Sequence, residues 1–348
     1  MILLEMQVLA DIAETAIFED QMVKLLARKK YVELTQPFRV AFGTIAGLDV
    51  VEVELSHEGV VGRGECCPMA IYGQDADTTL AEIAAITPQI ESGDLDRTSL
   101  QKVLPAQSAR NAIDCAFWDV EAKLSGRSVW DIAGLEAPSI IPSDVTIGIM
   151  TPEETATFAA GLCGASSIKL KLGGEHDLEC LAAVRSVLPD TPLFVDVNAG
   201  WTLDRLNALA PQLADAKVFM IEQPLAPQDD PQLDEYGRAV PICADESCHD
   251  RSDLDRLEGR YQYVNIKLDK TGGLTEALAL AEAARQRGFG IMVGCMLGTG
   301  LAMAPAYVLA SICDVVDLDA PLIVKDPAHR GVKHDGRQLH QFGADLWG

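Results

Sequence analysis

From about residue 142 onward, short β-like runs of apolar residues alternate with longer amphipathic stretches. The β-like runs are VTIGIM (145–150), SIKLKL (167–172), PLFVDVN (192–198), VFMIEQP (218–224), PICADES (241–247), YVNIKLD (263–269), GIMVGCM (290–296) and VVDLDAP (315–321). Segments such as DLECLAAVRSVL and LTEALALAEAARQRG have helical periodicity and fill the gaps. Strand–helix alternation at a spacing of about 25 residues predicts parallel strands joined by crossover helices. Eight such units fit a (β/α)8 barrel; an open doubly wound sheet is the weaker alternative.

Before Pro142 the pattern changes. Residues 31–68 look like an antiparallel meander with HEG as a turn, and 79–135 are mostly helical, including ARNAIDCAFWDVEAKLSG. The expected organisation is an N-terminal extension (1–21), an α+β capping domain (22–142), a modified (β/α)8 barrel (143–324) and a C-terminal segment (325–348) returning to the cap. The first twenty residues are acidic and lack the basic region of a secretory signal. The uncharged run Gly288–Cys313 could mimic a membrane span. Its five glycines and Pro305 divide it better into strand, loop and helix.

Composition narrows the partners. A formal net charge of −24 over 348 residues argues against nucleic acid or an anionic membrane surface. Nine scattered cysteines without a CxxC predict free, mostly buried thiols in a reducing cytoplasm. The six histidines show no ligand spacing and are expected at the surface.

Charge placement carries the chemistry. Catalytic groups of a barrel sit at the C-terminal ends of its strands. Lys169 and Lys171 fall at the end of the second run, Asp196 at the third, Glu222 at the fourth, Asp245 at the fifth, Lys267 at the sixth, and Asp317 and Asp319 at the eighth. In a strand, Lys169 and Lys171 share a face. A solvated edge strand would explain that simply; two cations converging on a buried site is the alternative. Asp196, Glu222 and Asp245 on consecutive strands should point at one place, where three like charges repel unless a cation neutralises them. Oxygen ligation without His or Cys suits a hard ion, and Mg²⁺ is the usual choice. Lys171 and Lys267 would flank that ion from opposite sides of the ring, with Lys270 as a substitute for Lys267 if strand parity slips by one. A metal between two lysines suits proton removal beside a carboxylate: the ion stabilises an enediolate, and a base and an acid on opposite faces invert the carbon.

The motifs KLKLG, DVNAGW, IEQPL, ADES and NIKLDKTGG, in that order, resemble the enolase superfamily, muconate-lactonizing subgroup, across about residues 22–345. The resemblance implies Asp196, Glu222 and Asp245 as Mg²⁺ ligands, Lys171 and Lys267 as a two-sided acid/base pair, and Lys169 as support for the substrate carboxylate. The seventh run has no histidine, unlike mandelate-racemase-type members. Asp317 and Asp319 resemble the pair that holds the α-ammonium in dipeptide epimerases, and two pocket-facing carboxylates are physically apt for a cation. Relatives acting on Ala-Glu carry an arginine in the first capping loop, where this chain offers Phe42 and Gly43. The side-chain site is therefore expected to favour a less acidic, apolar second residue, and Met296 is a further expected substrate contact.

The implied function is Mg²⁺-dependent epimerisation of dipeptides at the C-terminal residue's α-carbon, not strict for Ala-Glu. The partner would be a small dipeptide, with self-association left open. N-acylamino-acid racemisation, cycloisomerisation and dehydration on the same scaffold remain alternatives, as does a non-catalytic binding protein.

Overall fold

The computed structural model describes residues 23–40, 43–325 and 331–348, with the backbone alone for 36–40 and 43–45. The N-terminal extension and Phe42 therefore lie outside the described residues.

Three antiparallel strands, β1 (Lys24–Val40), β2 (Gly43–His57) and β3 (Val60–Cys66), form the cap sheet. Glu58 and Gly59 both take positive φ at the β2–β3 turn, which suits a tight two-residue hairpin. Helix Ser108–Ser125 packs on β3, and Gly62 and Gly64 make that packing possible. A Cβ at either would strike the helix backbone, at Ala116 O or Ala112 O. The apolar face of this layer includes Val51, Val53, Leu55, Ile83, Ile113 and Val120.

After the short strand β4 (Ile140–Pro142), eight parallel strands follow: β5 (Asp144–Ile147), β6 (Ser167–Lys171), β7 (Leu193–Asp196), β8 (Val218–Glu222), β9 (Ile242–Ala244), β10 (Tyr263–Ile266), β11 (Gly290–Gly294) and β12 (Val315–Asp317). They pair in sequence order from β5 to β12, giving a nearly closed barrel rather than a doubly wound sheet. Side chains bridge its seam. Ser143 Oγ donates to Val316 O and accepts from Leu318 N, and Thr146 N donates to Asp319 Oδ2 at 2.8 Å. The strands are shorter than the sequence runs, so Asp245, Lys267 and Asp319 sit just beyond strand ends, on the connecting loops. The run 288–313 divides into β11 and helix Gly300–Ala310. Among the described residues, no helix is long and apolar enough to cross a membrane.

The C-terminal segment forms a small sheet with Ile140–Pro142 and reaches the cap. Its end is more apolar than its composition suggests: Trp347 is fully buried, and its Nε1 donates to Cys115 O at 3.0 Å. Among the described histidines, one departs from the surface expectation, and His329 lies outside the described residues. His334 is buried; its Nδ1 accepts from Gly336 N and its Nε2 faces Asp144 O, which selects the Nε2–H tautomer. Burial holds its pKa down. The nine cysteines are free, and Cys163 is the exposed one.

Glu65, at the end of β3, ties cap to barrel. Its carboxylate accepts from Thr299 N at 2.6 Å and Thr299 Oγ1 at 2.7 Å, capping helix Gly300–Ala310 from the other layer. Burial pushes its pKa up to about 7 despite those bonds. A raised folded-state value makes ionisation costly, so this group's contribution falls as pH rises from its unfolded value through 7. Glu65→Gln is expected to abolish that slope. In urea unfolding, the variant should gain on the parent by on the order of 2 kcal/mol between pH 5 and pH 8. Parallel pH profiles would mean that the acid stays ionised throughout.

Candidate active site

The barrel floor is apolar: Phe194, Met220, Cys243 and Met292 pack together inside it. Alternation along each strand lifts the residue two positions later one layer higher on the same face. That step leads from Phe194 to Asp196, from Met220 to Glu222 and from Cys243 to Asp245. The acidic layer is thus a consequence of strand period resting on an apolar plug.

Lys169 lies at its centre. Its Nζ stands 2.9 Å from Asp196 Oδ2, 2.8 Å from Glu222 Oε2 and 2.6 Å from Asp317 Oδ2, and the side chain is almost wholly buried. Lys171 Nζ pairs with Asp196 Oδ2 at 2.6 Å and Asn198 Oδ1 at 2.9 Å. On the other side, Lys267 Nζ meets Asp245 Oδ2 at 2.7 Å, while Lys270 Nζ holds Asp245 Oδ1 at 2.6 Å and Asn265 O at 3.0 Å. The two candidate lysines on the sixth unit separate clearly. Lys267 lines the cavity, whereas Lys270 is sealed behind Asp245.

Sequence inspection missed Asn265, whose Nδ2 donates to Glu222 Oε1 at 2.6 Å. Its position two residues before Lys267 was the available signal. Thr146, Tyr72 and Glu246 also line the cavity, which holds about 120 Å³ and is completed by Met69, Ile71, Met296, Leu297 and Ile323. Asp317 and Asp319 both face it. Gly43 opens β2 opposite Val40.

The electrostatics show how crowded the acids are. Burial would raise Asp196, but Lys169 and Lys171 outweigh it and hold its carboxyl below the usual range. Burial is likewise overcome at Asp245 by Lys267 and Lys270. Glu222 is pushed up to about 8 by burial and by the charge of Asp196. Glu246 rises to about 7 through burial and the neighbouring Asp245 and Asp196. For Lys169 and Lys267, burial opposes the charged form, yet the surrounding carboxylates raise both well above the ordinary value.

Among the described residues, no three acidic, histidine or cysteine side chains stand together as a formed metal cage. Asp196 and Asp245 are drawn instead onto separate lysines. The donor set nevertheless fits a hard divalent cation: three buried carboxylates on adjacent strands, offering oxygen alone, with Glu222 disfavoured as an anion by its neighbours.

Acids and lysines gathered at the C-terminal mouth of a parallel barrel, beside a separate cap, mark the site of a barrel enzyme equipped for acid/base chemistry. The particular family follows from comparison. Residues 22–134 match the mandelate racemase / muconate lactonizing enzyme N-terminal domain, and residues 154–334 the enolase C-terminal domain-like model, so the chain belongs to the enolase superfamily. It is 47% identical over 309 residues to an L-Ala-D/L-Glu epimerase of Escherichia coli K12, covering 88% of this chain and 96% of that one. It is 39% identical to an N-acetyl-D-glutamate racemase of Pseudoalteromonas, over 86% of this chain and 95% of the relative. A crystal structure of an Agrobacterium tumefaciens enolase family member with homology to dipeptide epimerases, holding sodium and L-Ala-L-Glu, superposes with a TM-score of 0.91. Its sequence identity is 37%, with 94% of this chain and all of that one covered. An Enterococcus faecalis dipeptide epimerase complexed with Mg and L-Leu-L-Tyr gives 0.86 at 28% identity, over 94% and 99%.

Proposed function

We infer that this enzyme is an isomerase that epimerises dipeptides at the α-carbon of the C-terminal residue. The observation that carries the reading is the placement of Lys171 and Lys267. Lys171 ends the second of eight strands and Lys267 directly follows the sixth, hence they stand on opposite walls, and they line one cavity together with Asp317 and Asp319. That arrangement suits a substrate with a carbon acid in the middle and an ammonium at one end.

The residues then divide the work. Asp196, Glu222 and Asp245 would hold Mg²⁺, which when bound neutralises charge developing on the substrate carboxylate. Lys169 adds a fixed positive charge beside that group. One of Lys171 and Lys267, as the neutral amine, takes the α-proton; the other, as the ammonium, returns a proton to the opposite face. Their roles exchange with the configuration of the substrate, so one proton leaves and one arrives in either direction. Asn198 and Asp196 orient the first lysine, and Asp245 the second. Asp317 and Asp319 accept the α-ammonium, and Met69, Ile71 and Tyr72 cover the reacting carbon against water.

The same geometry favours a dipeptide not restricted to Ala-Glu. Apart from Lys169, Lys171 and Lys267, no lysine or arginine lines the cavity among the described residues, while Met69, Ile71, Met296, Leu297 and Ile323 do. An apolar C-terminal side chain fits that wall better than a carboxylate does. Free thiols fit a reducing cytoplasm as the place of action.

The test is mass spectrometry on L,L-dipeptides incubated with enzyme and Mg²⁺ in D₂O. Each accepted dipeptide should gain one deuterium at the α-carbon, and apolar second residues should exchange faster than Glu. Failure of every dipeptide with folded, metal-loaded enzyme would overturn the reading and turn attention to N-acylamino acids.

A further inference from the structure

The reaction cavity continues into a second, larger space. A groove of about 1100 Å³ runs along the barrel seam and shares Thr146, Asp319 and Ile323 with the cavity. It lies where β5 and β12 lack ladder bonds and the ring is closed by side chains. One side is helix Pro152–Ala160 and the loop before it; the other is the turn Ala320–Ile323 and the C-terminal hairpin. Its wall is apolar and half-buried, formed by Ile149, Met150, Phe158, Leu162, Leu322 and Ile323. Its outer rim is acidic, with Glu153 and Glu154 exposed on the helix and Asp335 across from them. Among the described residues, no lysine or arginine lines it.

We propose that this groove is the subsite for the side chain of the substrate's N-terminal residue, and that it takes a long side chain with a basic end, as in Lys or Arg. The proposal rests on the dipeptide reading above. An α-ammonium held at Asp317 and Asp319 sits at the junction of the two spaces, so the side chain on the same carbon has the groove before it. Basic side chains carry an apolar stem and a charged head. The stem packs along Met150, Phe158 and Ile323, while the head stays in water beside Glu153 and Glu154. A Glu side chain in that position meets the carboxylates of Glu153, Glu154 and Asp335 at the rim. A small side chain such as Ala leaves the apolar wall uncovered and gains nothing from it.

The experiment fixes the C-terminal residue at the one best accepted behind N-terminal Ala, and varies the first residue over Ala, Glu, norleucine, Lys and Arg. Deuterium incorporation gives kcat/KM for each. Norleucine has the Lys stem without its charge and so separates the two contributions. Lys and Arg are expected to exceed Ala by about 10-fold or more, the scale of a few methylenes buried in a fitted pocket. Lys should exceed norleucine by about threefold at low salt, a margin that shrinks as ionic strength rises. Glu153→Gln should reduce the Lys-to-norleucine ratio, and Phe158→Ala the norleucine-to-Ala ratio. Since both are ratios within one variant, a general loss of folding does not imitate them. Ala equal to or better than Lys, or Glu equal to Lys, would overturn the subsite while leaving epimerisation intact. Absence of exchange with every peptide would instead sink the dipeptide reading itself.

Discussion

Lys267→Met should lower epimerisation by about 10²–10⁴-fold, and Lys171→Met should do the same, the usual scale for a lost acid or base in proton transfer. The more telling result is how isotope exchange divides between the epimers. In the proposed mechanism each lysine, from its own wall of the cavity, faces one side of the α-carbon. A variant lacking one of them can still remove and return a proton on the remaining face, because the other amine needs no partner to exchange its own proton with solvent. Each single variant is therefore expected to wash deuterium into one epimer without inverting it, and to leave the other unexchanged. The two variants should show opposite preferences. Racemised product, or exchange of both epimers in either variant, would mean that one group serves both faces and that the two-sided arrangement is wrong. Lys270 provides a control with a different signature. It is sealed behind Asp245 and does not reach the cavity, so its loss should disturb Asp245 without selecting a face.

Much of this site was legible because strand period is rigid. Once DVN, IEQ and ADES are placed on successive parallel strands, alternation puts Asp196, Glu222 and Asp245 in one layer, and the same step explains Lys169 and Lys171. Parity fails where a strand stops. Lys267 caps the one-turn helix Leu268–Thr271, and Lys270 lies on it, so backbone winding and not alternation turns Lys270 back onto Asp245. The carboxylate–lysine pairing was hidden for a related reason. The sequence places charges on a ring but does not say which of several neighbours each will choose, and that choice depends on side-chain reach. Asn265 and Thr146 were overlooked because neutral residues carry no charge signal, although both sit in register with charged ones. The seam groove needed three dimensions. Its walls come from 145–162, 319–323 and 334–336, which nothing in the sequence brings together.

Lys169→Met tests the energetics of the acidic layer. In the parent, one buried ammonium lies within 2.9 Å of Asp196, Glu222 and Asp317. Removing it leaves three buried carboxylates facing an apolar side chain of similar length, so lost packing volume is not the cause of the damage. Breaking a buried ion pair from one side costs about 3–5 kcal/mol, because the remaining charge is neither solvated nor paired. The loss should depend on pH in a definite direction. Glu222 is already displaced upward to about 8, and without Lys169 it is displaced further. An acid whose folded pKa exceeds its unfolded value costs stability progressively as pH rises between the two, so the deficit of the variant should grow from pH 6 to pH 9. Mg²⁺ should work against it. A cation bound by Asp196, Glu222 and Asp245 in the folded state alone stabilises by mass action, and it relieves the repulsion that Lys169 no longer masks. Urea melts of parent and variant at both pH values, with Mg²⁺ and with chelator, measure all of this. A variant as stable as the parent at pH 9 in chelator would show that the acidic layer does not depend on this ammonium, and that Lys169 is kept for the substrate carboxylate alone.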